Sequence, residues 1–247
     1  MQYRLDAPLD ELLDMARQRF SVEFEQLAVG DIRLEILQVQ NMREYLDQLI
    51  PTLREDALKA MPLWAKIWPA SIMLGHFLRH LSAEGKSLLE IGAGCGVSGL
   101  IAAAHGFSEV FITDINEDAL LFARINALRN DLGDRVTVCR MDIAETRLNR
   151  TFDYIAGAEV LYLESLHRAL VKCLRHHLAP GPSSEALLAK DYRRKAKKFF
   201  KLAEREFQMQ ERTVGTKITE ADSVGADDAA TPQTTRSLFT IHRLRAK

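Results

Sequence analysis

The chain has 247 residues and a mass of 27.9 kDa, enough to bury a full core in one α/β unit with an appendage. Its hydrophobic content of 47% and charged content of 27% are ordinary for a globular protein, which argues against a fibrous or disordered class. A formal net charge of −1 argues against a global attraction to nucleic acid, and no apolar run approaches the roughly 20 residues of a membrane span.

Residues 1–60 read as an N-terminal extension, with the main domain over 61–247. Leu9 to Phe20 carries apolar positions at helical spacing, Leu12, Leu13, Met15 and Ala16. Two alternating runs, Ser21 to Leu27 and Ile32 to Val39, flank the turn Val29-Gly30-Asp31 and predict a hairpin. A helix from about Asn41 to Ile50 is stopped by Pro51. Both tryptophans follow in Pro62-Leu-Trp-Ala-Lys-Ile-Trp-Pro-Ala-Ser71, where the prolines impose an irregular segment before a helix at 70–81. Indole rings here can stack on a flat ligand or wall a cation pocket, with Trp68 the stronger candidate.

The central stretch is Ser87-Leu-Leu-Glu-Ile-Gly-Ala-Gly-Cys-Gly-Val-Ser-Gly99: buried strand, glycine turn, helix. Such a turn brings backbone N–H groups and a helix N-terminus against a ligand. A dinucleotide fingerprint, Gly-x-Gly-x-x-Gly, receives a pyrophosphate there. The spacing found is instead Glu90-x-Gly92-x-Gly94-x-Gly96, and a carboxylate at the strand end repels a diphosphate. Glu90 can instead hold a cationic ligand, directly or through water, or a helix-terminus amide. The next strand, Glu109 to Thr113, ends in Asp114, placed about 20 residues past the turn to accept from a ribose diol. Two carboxylates without a phosphate cradle favour S-adenosylmethionine over NAD.

From there strands and helices alternate: helix 97–105, strand 109–113, helix 117–129, strand 135–139, strand 153–158, helix 164–178, strand 185–190 and helix 194–207. This order predicts a parallel sheet with helices on both faces. Strands at 209–218 and 237–244 make a closing antiparallel hairpin around a polar, mobile loop from Thr219 to Arg236. Met141 and Asp142, after the third strand, are placed to pack on an adenine face and accept from its amine; a helix cap is the other use for Asp142. Gly157 and Ala158 leave room for a ligand near the fourth strand's end. Glu159 then faces the reacting methyl group or orients an amine, and Tyr162 lines a narrow channel. An apolar channel lowers a lysine's pKa by desolvation, after which in-line displacement is a matter of positioning. The seven histidines show no metal-ligand spacing, so no metal is expected. Cys95, Cys139 and Cys173 are odd in number and far apart, and the N-terminus lacks a signal-peptide pattern; reduced thiols and a cytoplasmic location are expected. Cys95 is a space-filler in the turn. Arg193-Arg-Lys-Ala-Lys-Lys198 reads as a solvated face, or as a docking patch for an acidic partner.

Glu90-Ile-Gly-Ala-Gly-Cys-Gly resembles motif I of the class I, Rossmann-like methyltransferases. With Pro62-Leu-Trp-Ala-Lys-Ile-Trp-Pro and Ala158-Glu-Val-Leu-Tyr162, the chain is similar to the methyltransferase-16 family, the seven-β-strand protein lysine methyltransferases. The resemblance runs from about Pro62 to the C-terminus and rests on three separated motifs in order. It implies a seven-stranded sheet of order 3-2-1-4-5-7-6 with strand 7 antiparallel. The cofactor-binding candidates are Trp68, Glu90, Gly92, Ala93, Gly94, Gly96, Asp114, Met141, Asp142 and Ala158. Glu159 and Tyr162 match the family's acidic-x-x-aromatic motif as catalytic candidates, with Glu where many members have Asp. The implied activity is S-adenosylmethionine-dependent methylation of lysine in a protein, without nucleic acid or membrane as partner. The alternatives are a small amine or heterocyclic nitrogen as acceptor, a non-catalytic S-adenosylmethionine-binding module, and an NAD-dependent oxidoreductase, for which no base and hydride-acceptor pair is found.

Overall fold

The structure, a computed structural model, describes residues 3–42, 45, 47, 62–219 and 234–247. Its centre is a seven-stranded sheet: β3 (Ser87–Ile91), β4 (Glu109–Asp114), β5 (Val136–Arg140), β6 (Tyr154–Ala158), β7 (Glu185–Asp191), β8 (Phe207–Thr219) and β9 (Thr234–Ala246). Spatial order is β5-β4-β3-β6-β7-β9-β8, with β9 antiparallel to both neighbours and β3 to β7 mutually parallel. Counted from β3, this is the expected 3-2-1-4-5-7-6.

Period-two alternation divides each inner strand between two cores. Leu88, Ala156 and Leu187 face one, while Leu89, Ile155 and Leu188 face the other. The first core takes helices α2 (Pro69–Leu78), α3 (Val97–His105) and α4 (Glu117–Arg129). The second takes α5 (His167–His177) and α6 (Lys197–Ala203). Helix α4 begins where Asn116 caps it, its side chain accepting from Asp118 N at 2.8 Å and Ala119 N at 3.1 Å. Among the described residues, no helix is long and apolar enough to cross a membrane.

The N-terminal segment packs on the first core. Helix α1 covers Leu9–Arg17, shorter than the predicted Leu9 to Phe20, because Phe20 turns inward to meet Trp64 and Phe122 edge-on. The predicted hairpin forms as β1 (Val22–Val29) and β2 (Ile32–Val39), paired antiparallel in full register. The outer edge of β2 meets helix α4 instead of a third strand. Asn130 accepts from Glu35 N and donates to Glu35 O, both at 2.8 Å. Asn126, wholly buried, accepts from Leu37 N at 2.7 Å and donates to Cys95 O at 3.1 Å. Two asparagines on one helix face thus satisfy an edge that is otherwise open.

Other predicted boundaries shift modestly. The helix expected at 70–81 ends at Leu78, and a single 3₁₀ turn, Leu63–Ala65, precedes it. The helix expected at 164–178 splits into a 3₁₀ turn, Glu164–Leu166, and α5. The one expected at 194–207 is only Lys197–Ala203, because Asp191 holds the preceding residues in a turn, accepting from Arg193 N at 2.8 Å. The helix predicted near 41–50 lies mostly outside the described residues, as do 220–233 of the predicted loop; Thr219 and 234–236 belong to β8 and β9.

Replacing Asn126 with Ala strands Leu37 N–H and Cys95 C=O in the core. We expect a loss of roughly 2–4 kcal/mol in urea unfolding, since each buried orphan costs about 1–3 kcal/mol. A loss below about 0.5 kcal/mol, the scale of an unremarkable surface substitution, would show that this link does not hold the hairpin.

Candidate active site

The carboxyl ends of β3, β4, β5 and β6 open into one cavity of about 380 Å³, within the range of small-molecule sites. It lies at the switch point, where the chain leaves β3 toward β4 on one side and β6 on the other. Trp68, Glu90, Gly92, Ala93, Gly94, Asp114, Met141, Asp142, Ala158, Glu159 and Tyr162 all line it. Of the predicted positions only Gly96 does not. It starts helix α3 with φ 84°, and a side chain there would press on Ile112 and Ala123.

The glycine turn is tied to the end of β4. Ala93 N donates to Thr113 O at 3.0 Å, and Gly94 N donates to Asp114 Oδ2 at 2.9 Å. Gly94 has φ 56°, and a Cβ would lie 3.3 Å from the Trp64 backbone, so no other residue fits without strain. The other oxygen of Asp114 accepts from Asn116 N at 2.9 Å. Burial raises the Asp114 pKa, and the N–H groups of Asn116 and Gly94 oppose that shift.

Glu90 is 1% exposed and turns toward helix α3, where its Oε2 accepts from Gly99 N at 2.9 Å. The strand-end carboxylate therefore binds a helix-terminus amide, one of the two uses its position offered. Burial lifts its pKa from 4.5 to about 7, against the opposing pull of the Gly99 and Ser98 groups. Burial likewise pushes the Cys95 thiol up to about 12, leaving it a packed, unreactive thiol. The free thiols of Cys95 and Cys173 are buried and that of Cys139 is half-buried.

The tryptophans divide their roles. Trp64 packs into the Phe20 and Phe122 cluster, while half-buried Trp68 donates from Nε1 to Leu63 O at 2.6 Å and so fixes its ring at the cavity wall. Met141 is buried beside Thr113, and Asp142 Oδ1 accepts from Ala144 N at 2.7 Å in a turn that no helix follows, so the alternative helix cap is not formed.

Glu159 is the strained member. It has φ 55°, a left-handed conformation that costs a non-glycine residue about 1–3 kcal/mol. Its N–H donates to Ala189 O at 2.8 Å, and its Oε1 accepts from Asp191 N at 2.6 Å, so β7 holds both backbone and side chain. Its Oε2 is buried without a hydrogen-bond partner and lies 3.0 Å from Arg194 Nε in an ion pair. Burial raises its pKa, countered by the Asp191 N–H and the Arg194 guanidinium. Tyr162 stands at the mouth, 37% exposed. Arg194 and Lys66 are charged lining residues outside the predicted set, and Arg194 is the one set against Glu159. Read as the start of a helix, it was expected on a solvated face; the turn at Asp191 instead brings it over the cavity.

A family model described as lysine methyltransferase matches residues 47–206. The chain belongs to the lysine methyltransferase family. It is 32% identical over 121 residues to EEF1A lysine methyltransferase 3 of Mus musculus, covering 47% of this chain and 51% of that protein. It is 30% identical over 161 residues to protein N-lysine methyltransferase METTL21A of Danio rerio, covering 62% and 72%. The chain spans about half the length of most curated family relatives it matches. Its fold matches that of the N-methyltransferase NodS of Bradyrhizobium japonicum, solved in complex with S-adenosyl-L-homocysteine, with TM-score 0.53 and 18% identity over 83% of this chain and 98% of that one.

Glu90 gives this lysine methyltransferase family member a pH signature. A buried acid with a raised pKa stabilises the fold fully below its unfolded value and loses that contribution as pH rises through the folded value. Between pH 4.5 and about 7, Glu90 should therefore lower stability as pH rises, by roughly 3 kcal/mol in total. In Glu90→Gln, whose amide oxygen can still accept from Gly99 N, the denaturation midpoint should fall less steeply over that window. Parallel pH profiles for parent and variant would contradict the assignment.

Proposed function

We propose that the chain is an S-adenosylmethionine-dependent N-methyltransferase that methylates lysine in a protein substrate. The observation that carries this reading is how the glycine turn uses its donors. Gly94 N–H is taken by Asp114 and Gly99 N–H by Glu90, so two carboxylates stand where a dinucleotide site keeps free amides for a pyrophosphate. That donor set suits a cationic nucleoside and disfavours NAD.

The residues fit the cofactor. Asp114, held by two backbone amides, has lone pairs left for a ribose diol. Met141 and exposed Ile115 offer apolar contact to adenine, and Asp142 an acceptor for its amine. Trp68, Gly92, Ala93, Gly94 and Ala158 contribute further wall. When bound, S-adenosylmethionine supplies an electrophilic methyl group on a sulfonium sulfur. Glu90 at the cavity wall and Gly96 behind it set helix α3 and the turn.

Glu159 and Tyr162 do the work on the acceptor. The buried Oε2 of Glu159, which accepts no hydrogen bond among the described residues, attracts the lysine head group and accepts a hydrogen bond from its nitrogen, fixing the lone pair's direction. Arg194 already rests against that oxygen, which supports its capacity for a long cationic side chain. Tyr162 walls the channel and sheds water from the amine, easing loss of its proton. The free thiols and the absence of a long apolar helix among the described residues support a reducing, cytoplasmic setting away from membranes, and the net charge of −1 supports a protein partner over nucleic acid.

Incubation with tritiated S-adenosylmethionine and cell extract should label lysine in a protein; label recovered only in nucleic acid or small molecules would refute the reading. Asp114→Ala should abolish S-adenosylhomocysteine binding in calorimetry. Glu159→Gln should keep that binding while kcat falls by roughly 100-fold; unchanged turnover would remove Glu159 from the mechanism.

A further inference from the structure

Beside the cavity lies a second cleft of about 360 Å³ between α5 and α6, lined by Arg168, Lys198, Lys201 and Arg205 with Glu164, Ser165 and Leu202. Among the described residues none of these four cations makes an ion pair, whereas Arg175, Arg193, Arg194, Arg243 and Arg245 each lie against a carboxylate. All four are exposed, in a chain whose net charge is −1, so the positive charge is local rather than global. Two of them also oppose their own helices. Arg168 and Lys198 are the second residues of α5 and α6, where the helix dipole disfavours a cation. Among the described residues, neither side chain has a hydrogen-bond or ion-pair partner to offset that. Local rules broken in this way mark a surface shaped for something outside the chain.

We propose that this cleft binds an acidic stretch of the protein substrate flanking the lysine to be methylated, an assignment that rests on the protein-lysine reading above. The two sites share walls. In the Glu164–Leu166 turn, Leu166 lines the cofactor cavity while Glu164 and Ser165 line the cleft. On the other side Arg194 belongs to the cavity and Lys198 to the cleft. Four residues span at most about 14 Å, so the walls at Arg194 and Lys198 lie within reach of about four extended substrate residues. A peptide fits better than nucleic acid. The lining holds no aromatic ring for base stacking. The near-neutral chain also lacks the broad positive field that phosphate backbones exploit.

The test uses the full chain and Arg168→Glu/Lys198→Glu. Both substitutions place an acid in a helix first turn, which the dipole favours, so the fold should be kept. The probes are fluorescein-labelled octa-glutamate, an equally long labelled single-stranded RNA, and a peptide library with a central lysine and randomised flanks. Octa-glutamate should bind the parent in a salt-sensitive manner, and about tenfold more weakly to the variant. S-adenosylhomocysteine binding should stay unchanged, and the melting temperature should hold or rise, since acids replace cations in the first turns. The parent should prefer Asp and Glu near the lysine in the library, and the variant should lose that preference.

Equal or absent octa-glutamate binding overturns the proposal, as does RNA bound more tightly than the peptide. Should the variant fail to fold, Lys201→Gln/Arg205→Gln takes its place with the same expectations. Methylation by the parent without acidic preference sinks the cleft and leaves the methyl-transfer reading standing. Cleft-dependent peptide binding with no lysine labelled in any library member does the reverse.

Discussion

The hydrogen bond from Gly94 N–H to Asp114 Oδ2 is the constraint on which the proposed ligand preference of this sheet rests. Parallel pairing of Ile91 with Thr113 brings the turn after β3 alongside the end of β4. The Ala93 N–H to Thr113 O bond and the Thr113 hydroxyl's 2.7 Å bond to Glu90 O then lock the two together. A glycine turn before a helix is by default an anion site, because its amides point outward unsatisfied. Here a carboxylate takes the central amide and another takes an amide inside the helix's first turn. The same backbone is thereby converted from a phosphate cradle into an acidic rim.

That conversion relies on rigid surroundings. Asn126 holds the carbonyl of Cys95 from behind the turn, and through Leu37 it ties the hairpin to the same point. On the opposite side of the cavity, Glu159 adopts a left-handed backbone conformation held by its double attachment to β7. The strand ends carry groups fixed by the sheet, while the Glu164–Leu166 turn beside the cavity and seven-residue α6 at the neighbouring cleft are short. In the proposed reaction this division matches the tasks: an unyielding cofactor site and shorter pieces that meet the acceptor.

Much of this could be read beforehand, for identifiable reasons. The inner strands are continuous apolar runs bounded by glycine or charge, so β3, β4, β6 and β7 fell within a residue or so of their predicted limits. The order of the sheet came from resemblance, and the pairing bears it out. What escaped was set by contacts distant in sequence. Asn126 and Asn130 look like neutral residues within a helix, and only the docked edge of β2 gives them partners. Arg194 looked solvated until the turn at Asp191 shortened α6 and swung it over Glu159. Gly96 belonged to the motif by spacing, yet its lack of a side chain serves packing against Ile112 and Ala123. Glu90 had two uses open to it, and the proximity of Gly99 chose one.

A crystal structure of the protein with S-adenosylhomocysteine tests the central claim most directly. The account predicts the ribose hydroxyls within hydrogen-bonding distance of the Asp114 carboxylate, adenine between Ile115 and Met141, and the sulfur facing the Glu159 and Tyr162 side of the cavity. A nucleoside bound elsewhere, or a cavity that accepts a pyrophosphate-bearing dinucleotide in its place, would contradict it.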